Sequence, residues 1–258
     1  MISPDNESKY GILCDHPEYI GRVISIERYA SGMLPFIPRG LPVYQSHGIC
    51  HSKAIIRYIN QFIRTSGSDL NPGEIFILCL AAWLHDLGYL NPMSIQDRKK
   101  HSEFSVEIIR SDPVILDLIK EEELFILSII IRLHDTHANL SGIDYEKGDR
   151  TPLLAALFRL ADSLDLGSDR CPGYVYNQIR DFLDERSRQH WRAHNNIHEC
   201  TIDYPYIRIF VSDIQDRDFK RTIIPHLEDD CCSSGRILEQ YGFVHPVPVY
   251  QKTGNIKL

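Results

Sequence analysis

Between His51 and about His194, apolar residues recur three and four positions apart, the spacing of helices that each bury one face. Ile55, Ile56, Ile59, Phe62 and Ile63 mark the first such face. Asn71-Pro72-Gly73-Glu74 reads as an N-cap, a proline at the first helical position and a capping-box glutamate. The helix it opens, over Ile75–Leu87, is apolar nearly all round, which predicts a central buried helix with Gly88 placed to end it. Ser102–Arg110 predicts a shorter helix closed by Pro113. Glu121–His134 starts acidic, as the macrodipole favours, and is then almost wholly apolar. Thr151-Pro152 opens a further helix through Leu154, Leu157, Leu160 and Leu164. Ahead of these, one helix is expected near Glu18–Ala30, followed by an irregular lead-in through Pro35, Pro38 and Pro42.

After Asn195 the pattern shifts toward alternation. Ile197–Asp203 and Tyr206–Val211 predict a strand pair about Tyr204-Pro205. One or two helices are expected between Phe219 and Tyr241, with a last strand in Phe243–Tyr250. The expected fold is therefore mainly α: an N-terminal helix and lead-in over 1–45, a helical domain over 46–195 and a small C-terminal α+β appendage over 196–258.

Composition narrows the possible partners. At 258 residues the chain suffices for one large domain, or a main domain with an appendage. No apolar run reaches the roughly 18 residues of a membrane span, the longest being around Leu124–Leu133 and broken by Ser128 and Arg132. The N-terminus has neither the basic start nor the apolar stretch of a secretory signal, so a cytoplasmic protein without membrane contact is expected. A net charge of −7 argues against an extended nucleic-acid surface, yet leaves room for a small phosphorylated substrate beside a metal ion. The seven cysteines are odd in number and show no C-x-x-C spacing, so neither a disulfide framework nor a zinc ribbon is indicated. A homo-oligomer is left open.

The candidate chemistry lies in histidines and aspartates set among these apolar runs. His51 starts the first amphipathic helix, with His47 four residues earlier as a rival. His51 is preferred because Ser52 follows it and it shares the face of Ile55 and Ile59. His85-Asp86 ends the buried helix, His101 opens the next, and His134 and His137 close the Glu121 helix. Asp162 lies in mid-helix between Leu160 and Leu164. A carboxylate at Asp86 would meet the negative end of a helix dipole, and burial would add a desolvation cost of several kcal/mol in order of magnitude. No arginine lies near it in sequence. A divalent ion shared with His51, His85 and Asp162 would offset both penalties, and mixed imidazole and carboxylate donors suit zinc, manganese, iron or nickel over calcium.

These elements, in the order His51-Ser52, His85-Asp86, His101, His134 and Asp162, resemble the H…HD…H…H…D pattern of the HD-superfamily metal-dependent phosphohydrolases. The string Leu-His-Asp-Leu-Gly-Tyr carries the same resemblance, and Arg-Leu-Ala-Asp-Ser-Leu-Asp, with His190-Trp191-Arg192, is similar to HD modules of prokaryotic regulatory and conflict proteins. The resemblance covers roughly residues 45–195 and implies an HD-domain helical bundle. It also implies one or two divalent transition-metal ions, among manganese, iron, nickel, zinc and cobalt. His51, His85, Asp86 and Asp162 would bind the first ion. His101 and His134, with Asp86 bridging, would bind a second, which makes Asp86, His101 and His134 the catalytic candidates.

The implied reaction is hydrolysis of a phosphomonoester or phosphodiester, a nucleotide being the first candidate, by metal-activated water. A catalytically silent metal-binding module that binds a nucleotide or a protein is the alternative. Two departures from two-metal relatives, Tyr89 in place of a lysine and His134-Asp135 with His137 displaced in place of paired histidines, weigh against a cyclic-dinucleotide phosphodiesterase. Arg159, one turn before Asp162, and His137 are candidate substrate contacts; a surface salt bridge is the other reading of Arg159. Asp165 is expected either behind the ligands or in a structural role, whereas His190, His194, His198, His226 and His245 form no ligand set and read as structural or exposed. Pocket walls are expected from the loops Tyr89–Gln96 and Ala138–Asp149.

Overall fold

A computed structural model describes residues 9–37, 47–135, 138–140 and 148–253. The fold is mainly α with a small three-stranded sheet near the C-terminus. Helix α1 (Pro17–Met33) buries Ile20, Val23, Ile26 and Ala30, a stripe with helical spacing. Helix α2 (Ile49–Ser66) ends at Gly67, whose φ of 65° is the left-handed conformation that glycine adopts without strain. Helix α3 (Pro72–Leu84) begins with the expected capping box: Glu74 N–H donates to Asn71 Oδ1 at 3.0 Å, and Asn71 N–H donates to Glu74 Oε2 at 2.8 Å. Helices α4 (His101–Ser111), α5 (Pro113–Leu118), α6 (Glu121–Leu133) and α7 (Thr151–Ser163) follow. Pro113 begins α5 instead of merely closing α4, because Asp112 caps the new helix through the backbone N–H groups of Val114 and Ile115.

Helices α3 and α7 are the inner pair, and α1, α2 and α6 pack around α3. Trp83 at the heart of α3 is fully buried and its indole N–H donates to Tyr10 Oη at 3.1 Å, which ties the N-terminal segment to the core. Contrary to the hydropathy expectation, the stretch Pro72–Leu90 is long and apolar enough to cross a membrane, and 89% of it is buried within the fold. Its apolar surface is covered by protein on all sides, which is why so uniform a helix can exist here.

Two short helices, α8 (Gly173–Ile179) and α9 (Glu185–Asn195), precede the sheet. Strands β1 (Ile197–Asp203) and β2 (Tyr206–Val211) pair antiparallel about a cis Tyr204-Pro205 bond, at the predicted bounds. Helices α10 (Arg217–Thr222) and α11 (Ile224–Gln240) lead to β3 (Val247–Lys252), which lies parallel to β2 and four residues later in the chain than the predicted start. β1 packs on α2, and α11 packs along α7. One apolar cluster therefore includes Leu13, Trp83, Phe158, Ile197, Ile209 and Leu238.

Gly88 has a different role from the helix stop predicted for it. Helix α3 ends three residues sooner, at Leu84, and Gly88 lies in a 3₁₀ turn (Leu87–Leu90) pressed against α4. A Cβ at Gly88 would overlap the His101 carbonyl oxygen and stand 2.6 Å from Ser105 N. The contact is pinned by Gly88 N–H donating to Ser105 Oγ at 2.7 Å and by Ser105 Oγ donating to the His85 carbonyl. Gly88→Ala is expected to cost about 1–3 kcal/mol in a urea titration through overpacking. It should also lower metal content, because the same contact sets His101 against His85. Unchanged stability and metal content in the variant would contradict this role.

Candidate metal centre

Helix ends bring the polar groups together. His51 lies in the first turn of α2, His85 and His134 are the C-caps of α3 and α6, and Asp162 is in the last turn of α7. His101 is the first residue of α4. Three helices thus direct the negative ends of their dipoles at one place, a setting that favours a cation. His51, His85, Asp86, His101 and His134 are all buried, and Asp162 is partly buried.

Two sets of donors share Asp86. In the first, His51 Nε2 lies 3.2 Å from His85 Nε2, 3.5 Å from Asp86 Oδ2 and 3.1 Å from Asp162 Oδ1. His85 Nε2 lies 3.2 Å from Asp86 Oδ2 and 3.7 Å from Asp162 Oδ1. Donors about 2.1 Å from a common ion stand roughly 3.0–3.5 Å apart, so this spacing suits one shared ion. In the second set, His101 Nε2 lies 2.9 Å from His134 Nε2 and 3.8 Å from Asp86 Oδ1, the other oxygen of the same carboxylate. His47, the rival of His51, enters the cluster too, with Nδ1 at 2.8 Å from Asp86 Oδ2. The two histidines are neighbours here, and the sequence choice between them was unnecessary.

Tautomers show whether a cation fits. His85 Nδ1 donates to the Ala81 carbonyl at 3.1 Å, His101 Nδ1 to Arg98 at 2.7 Å and His134 Nδ1 to Ile131 at 2.5 Å. A ring that carries only that Nδ1 proton has a lone pair on Nε2 to offer a cation. Two lone pairs facing each other at 2.9 Å cannot hydrogen-bond, whereas a cation beside both satisfies them. Behind His51, Asp165 Oδ2 accepts from Nδ1 at 2.7 Å, the carboxylate–histidine arrangement that orients metal ligands. Arg170 sits 3.5 Å from Asp165 Oδ2 and 3.3 Å from His47 Nδ1. It is the nearby arginine that the sequence did not offer, brought in from far along the chain.

Electrostatics favour donors in their ligating forms. Burial would raise the Asp86 carboxyl, but His85 and His47 hold it well below the usual carboxylate range. Burial acts against Asp162 as well, and the His51 hydrogen bond and the His85 charge again depress the carboxyl. Burial, with His101 and His85 nearby, lowers His134 to about 4, so the ring is neutral at pH 7. His51 runs the other way. Burial and Arg170 pull its pKa down, yet the Asp162 and Asp165 carboxylates outweigh them and push it up to about 9.

A family model described as HD-CE matches residues 41–218, more than half of the chain, and so spans every donor named above. The chain belongs to the HD-CE family. A search of curated proteins finds no match. In this HD-CE protein the buried histidine and aspartate groups, among them His51 with His85 and Asp162, and His85 with Asp86 and His134, are placed to hold a metal ion.

The remaining sequence expectations fare unevenly. Arg159 is 2% exposed, which excludes the surface salt bridge. Its guanidinium donates to the carbonyls of Leu133 (3.0 and 2.6 Å), Asp135 (2.5 Å) and Ala138 (2.7 Å), and so fixes the chain on either side of His134. His137 lies outside the described residues. Tyr89 stacks on His101 with ring centroids 4.4 Å apart and planes 7° from parallel, so it steadies a donor. A cavity of about 700 Å³ opens over the centre and is lined by Asp86, His101, His134 and Asp162. His190 and His226, read from sequence as structural or exposed, also line it, as do Arg98, Lys99 and Arg186. Among the described residues, Tyr89 is the one member of the expected Tyr89–Gln96 wall found in the lining; helices α9 and α11 supply much of the rest. Their irregular spacing along the chain gave no signal. His194 lines it too, with its Nδ1 donating to the Leu166 carbonyl at 2.8 Å.

Two outcomes are expected. At pH 7 the metal-free site carries its proton on His51, whose pKa of about 9 lies above the ambient value. Loading manganese should therefore release a proton, seen as a binding heat that varies with the ionisation heat of the buffer, and affinity should climb as pH rises toward 9. A buffer-independent heat would contradict this. Asp165→Asn should weaken metal binding by about 10–100-fold in chelator competition, because the carboxylate that orients His51 is lost.

Proposed function

We propose that this protein is a metal-dependent phosphohydrolase that cleaves a phosphomonoester or phosphodiester of a small substrate, a nucleotide first among candidates. The observation that carries the reading is the carboxylate of Asp86, whose two oxygens each face a separate set of histidine donors. His51, His85, Asp86 and Asp162 would hold one divalent ion, and His101, His134 and Asp86 a second. Such ions, when bound, acidify a water and neutralise charge on a phosphoryl group. The chain's own part is to fix the donors through backbone carbonyls and Asp165, and to enclose the reacting groups in the cavity.

The cavity is of a size that takes a nucleotide-sized ligand. Of the described residues lining it, five basic ones, Arg98, Lys99 and Arg186 included, balance five aspartates on a protein of net charge −7, and divalent ions bound there would tip the balance toward an anionic substrate. The same overall charge speaks against an extended nucleic-acid partner. The ions best suited to the donors are manganese, iron, nickel, zinc or cobalt.

Metal analysis followed by a phosphatase and phosphodiesterase screen with added manganese, iron or nickel tests the proposal. Turnover of at least one phosphate ester is expected, and Asp86→Ala should reduce it to background along with metal content. Activity that survives Asp86→Ala marks a contaminant. Tight metal without turnover on any nucleotide would replace this reading with a silent metal-binding module.

A further inference from the structure

Helix α11 begins beyond the region matched by the family model, yet it reaches the reaction cavity. It packs along α7, the helix that carries Asp162. On its inner face lies Asp230, which lines the same cavity as Asp86 and Asp162 and is 2% exposed. Its Oδ1 is buried and has no hydrogen-bond partner among the described residues. An orphaned buried carboxyl oxygen costs the fold stability that a leucine would not, so its presence requires either a structural partner or a ligand.

The described residues offer no such partner for Oδ1. Arg159 is the candidate by charge, but its Nε and Nη2 donate to the carbonyls of Leu133, Asp135 and Ala138 and not to Oδ1. Three carboxylates act on Asp230, Asp162 on α7, Asp135 after α6 and Asp229 beside it, while His226 one turn earlier on α11 and His190 and Arg186 on α9 line the same cavity. Burial is the largest influence on Asp230; Arg159 opposes it, the three carboxylates reinforce it, and the group rises to about 7. At neutral pH a large share of the side chain is a neutral acid, with an O–H to donate.

We propose that Asp230 is the general acid that protonates the leaving group, with the leaving half of the substrate held in the cavity against α11. This rests on the phosphohydrolase reading of the centre. In the step, a water oxygen bonds to phosphorus as the ester P–O bond breaks, and the electron pair of that bond stays on the leaving oxygen. The Asp230 O–H proton passes to this oxygen, which departs as an alcohol. The carboxylate left behind recovers a proton from solvent, replacing the one the attacking water gives up, so water and ester become alcohol and phosphate.

The test compares the full-length, manganese-loaded protein with Asp230→Asn on two probes, an alkyl phosphate with a poor leaving group and 2,4-dinitrophenyl phosphate with a good one. Asp230→Asn is expected to lose about 10²–10⁴-fold in kcat on the alkyl ester. The loss should shrink steeply on the dinitrophenyl ester, and the alkaline limb of the wild-type pH profile should disappear. Equal losses on both probes, or none, would overturn the assignment. A wild-type protein inert toward both probes and toward every ester of the phosphatase and phosphodiesterase screen would instead remove the phosphohydrolase reading.

Thermal melts of the metal-free protein supply a readout that needs no turnover. The folded pKa of Asp230 lies above its unfolded value, so the wild type should lose stability as pH rises from about 4 through 7. Asp230→Asn should lack that loss and melt higher at about pH 8, above the folded pKa. If the variant melts lower at every pH, Asp230 is a structural partner and the proposal falls.

Discussion

Lone pairs that face one another inside a greasy core are the constraint on which this structure depends. The Nε2 atoms of His101 and His134 are 2.9 Å apart, and those of His51 and His85 are 3.2 Å apart, with carboxylates of Asp86 and Asp162 between and beside them. Without a cation, such an arrangement is held only by the surrounding packing and by whatever protons it can trap. His51, raised to about 9, is where the metal-free site keeps one. An ion bound there would offset the energetic cost of assembling these groups and so contribute to folding.

The helices are arranged to meet that constraint. α3, α6 and α7 each end at the centre, so the negative ends of their dipoles add to the charge of the aspartates. Some of the last-turn carbonyls also orient the donors, since Ala81 and Ile131 accept from the Nδ1 atoms of His85 and His134 and turn the opposite nitrogens inward. Gly88 and Ser105 lock the turn after α3 to α4, which brings His101 within reach of Asp86. Arg159 fixes the exit of α6 from beneath. Rigid supports of this kind place donors more reproducibly than loops could.

Around this fixed floor, the cavity walls come from other parts of the chain. Arg98 and Lys99 precede α4, Arg186 and His190 lie on α9, and His226 and Asp230 on α11. The C-terminal segment, which also forms the small sheet, is thereby joined to the chemistry instead of lying apart from it. Its inner face packs on α7 and continues the main apolar cluster through Leu227 and Leu238.

Much of this could be read from the chain. The helix bounds, the Asn71 capping box, the strand pair at Ile197–Asp203 and Tyr206–Val211, and the donors His51, His85, Asp86, His101, His134 and Asp162 all rest on local periodicity or on short ordered motifs. Local pattern reports which face of an element is buried, and a polar group interrupting that face stands out. It does not report which distant elements meet. Hence His47 looked like a rival and proved a neighbour, Arg159 looked like a surface charge and proved a buried clamp, and Gly88 looked like a helix stop and proved a contact point. Arg170, His190, His226 and Asp230 carried no sequence signal because their significance is purely one of proximity. The residue types able to bind a cation were determined by the sequence itself; their convergence, tautomers and shared cavity were decided only when the helices packed, since each depends on distances across the fold.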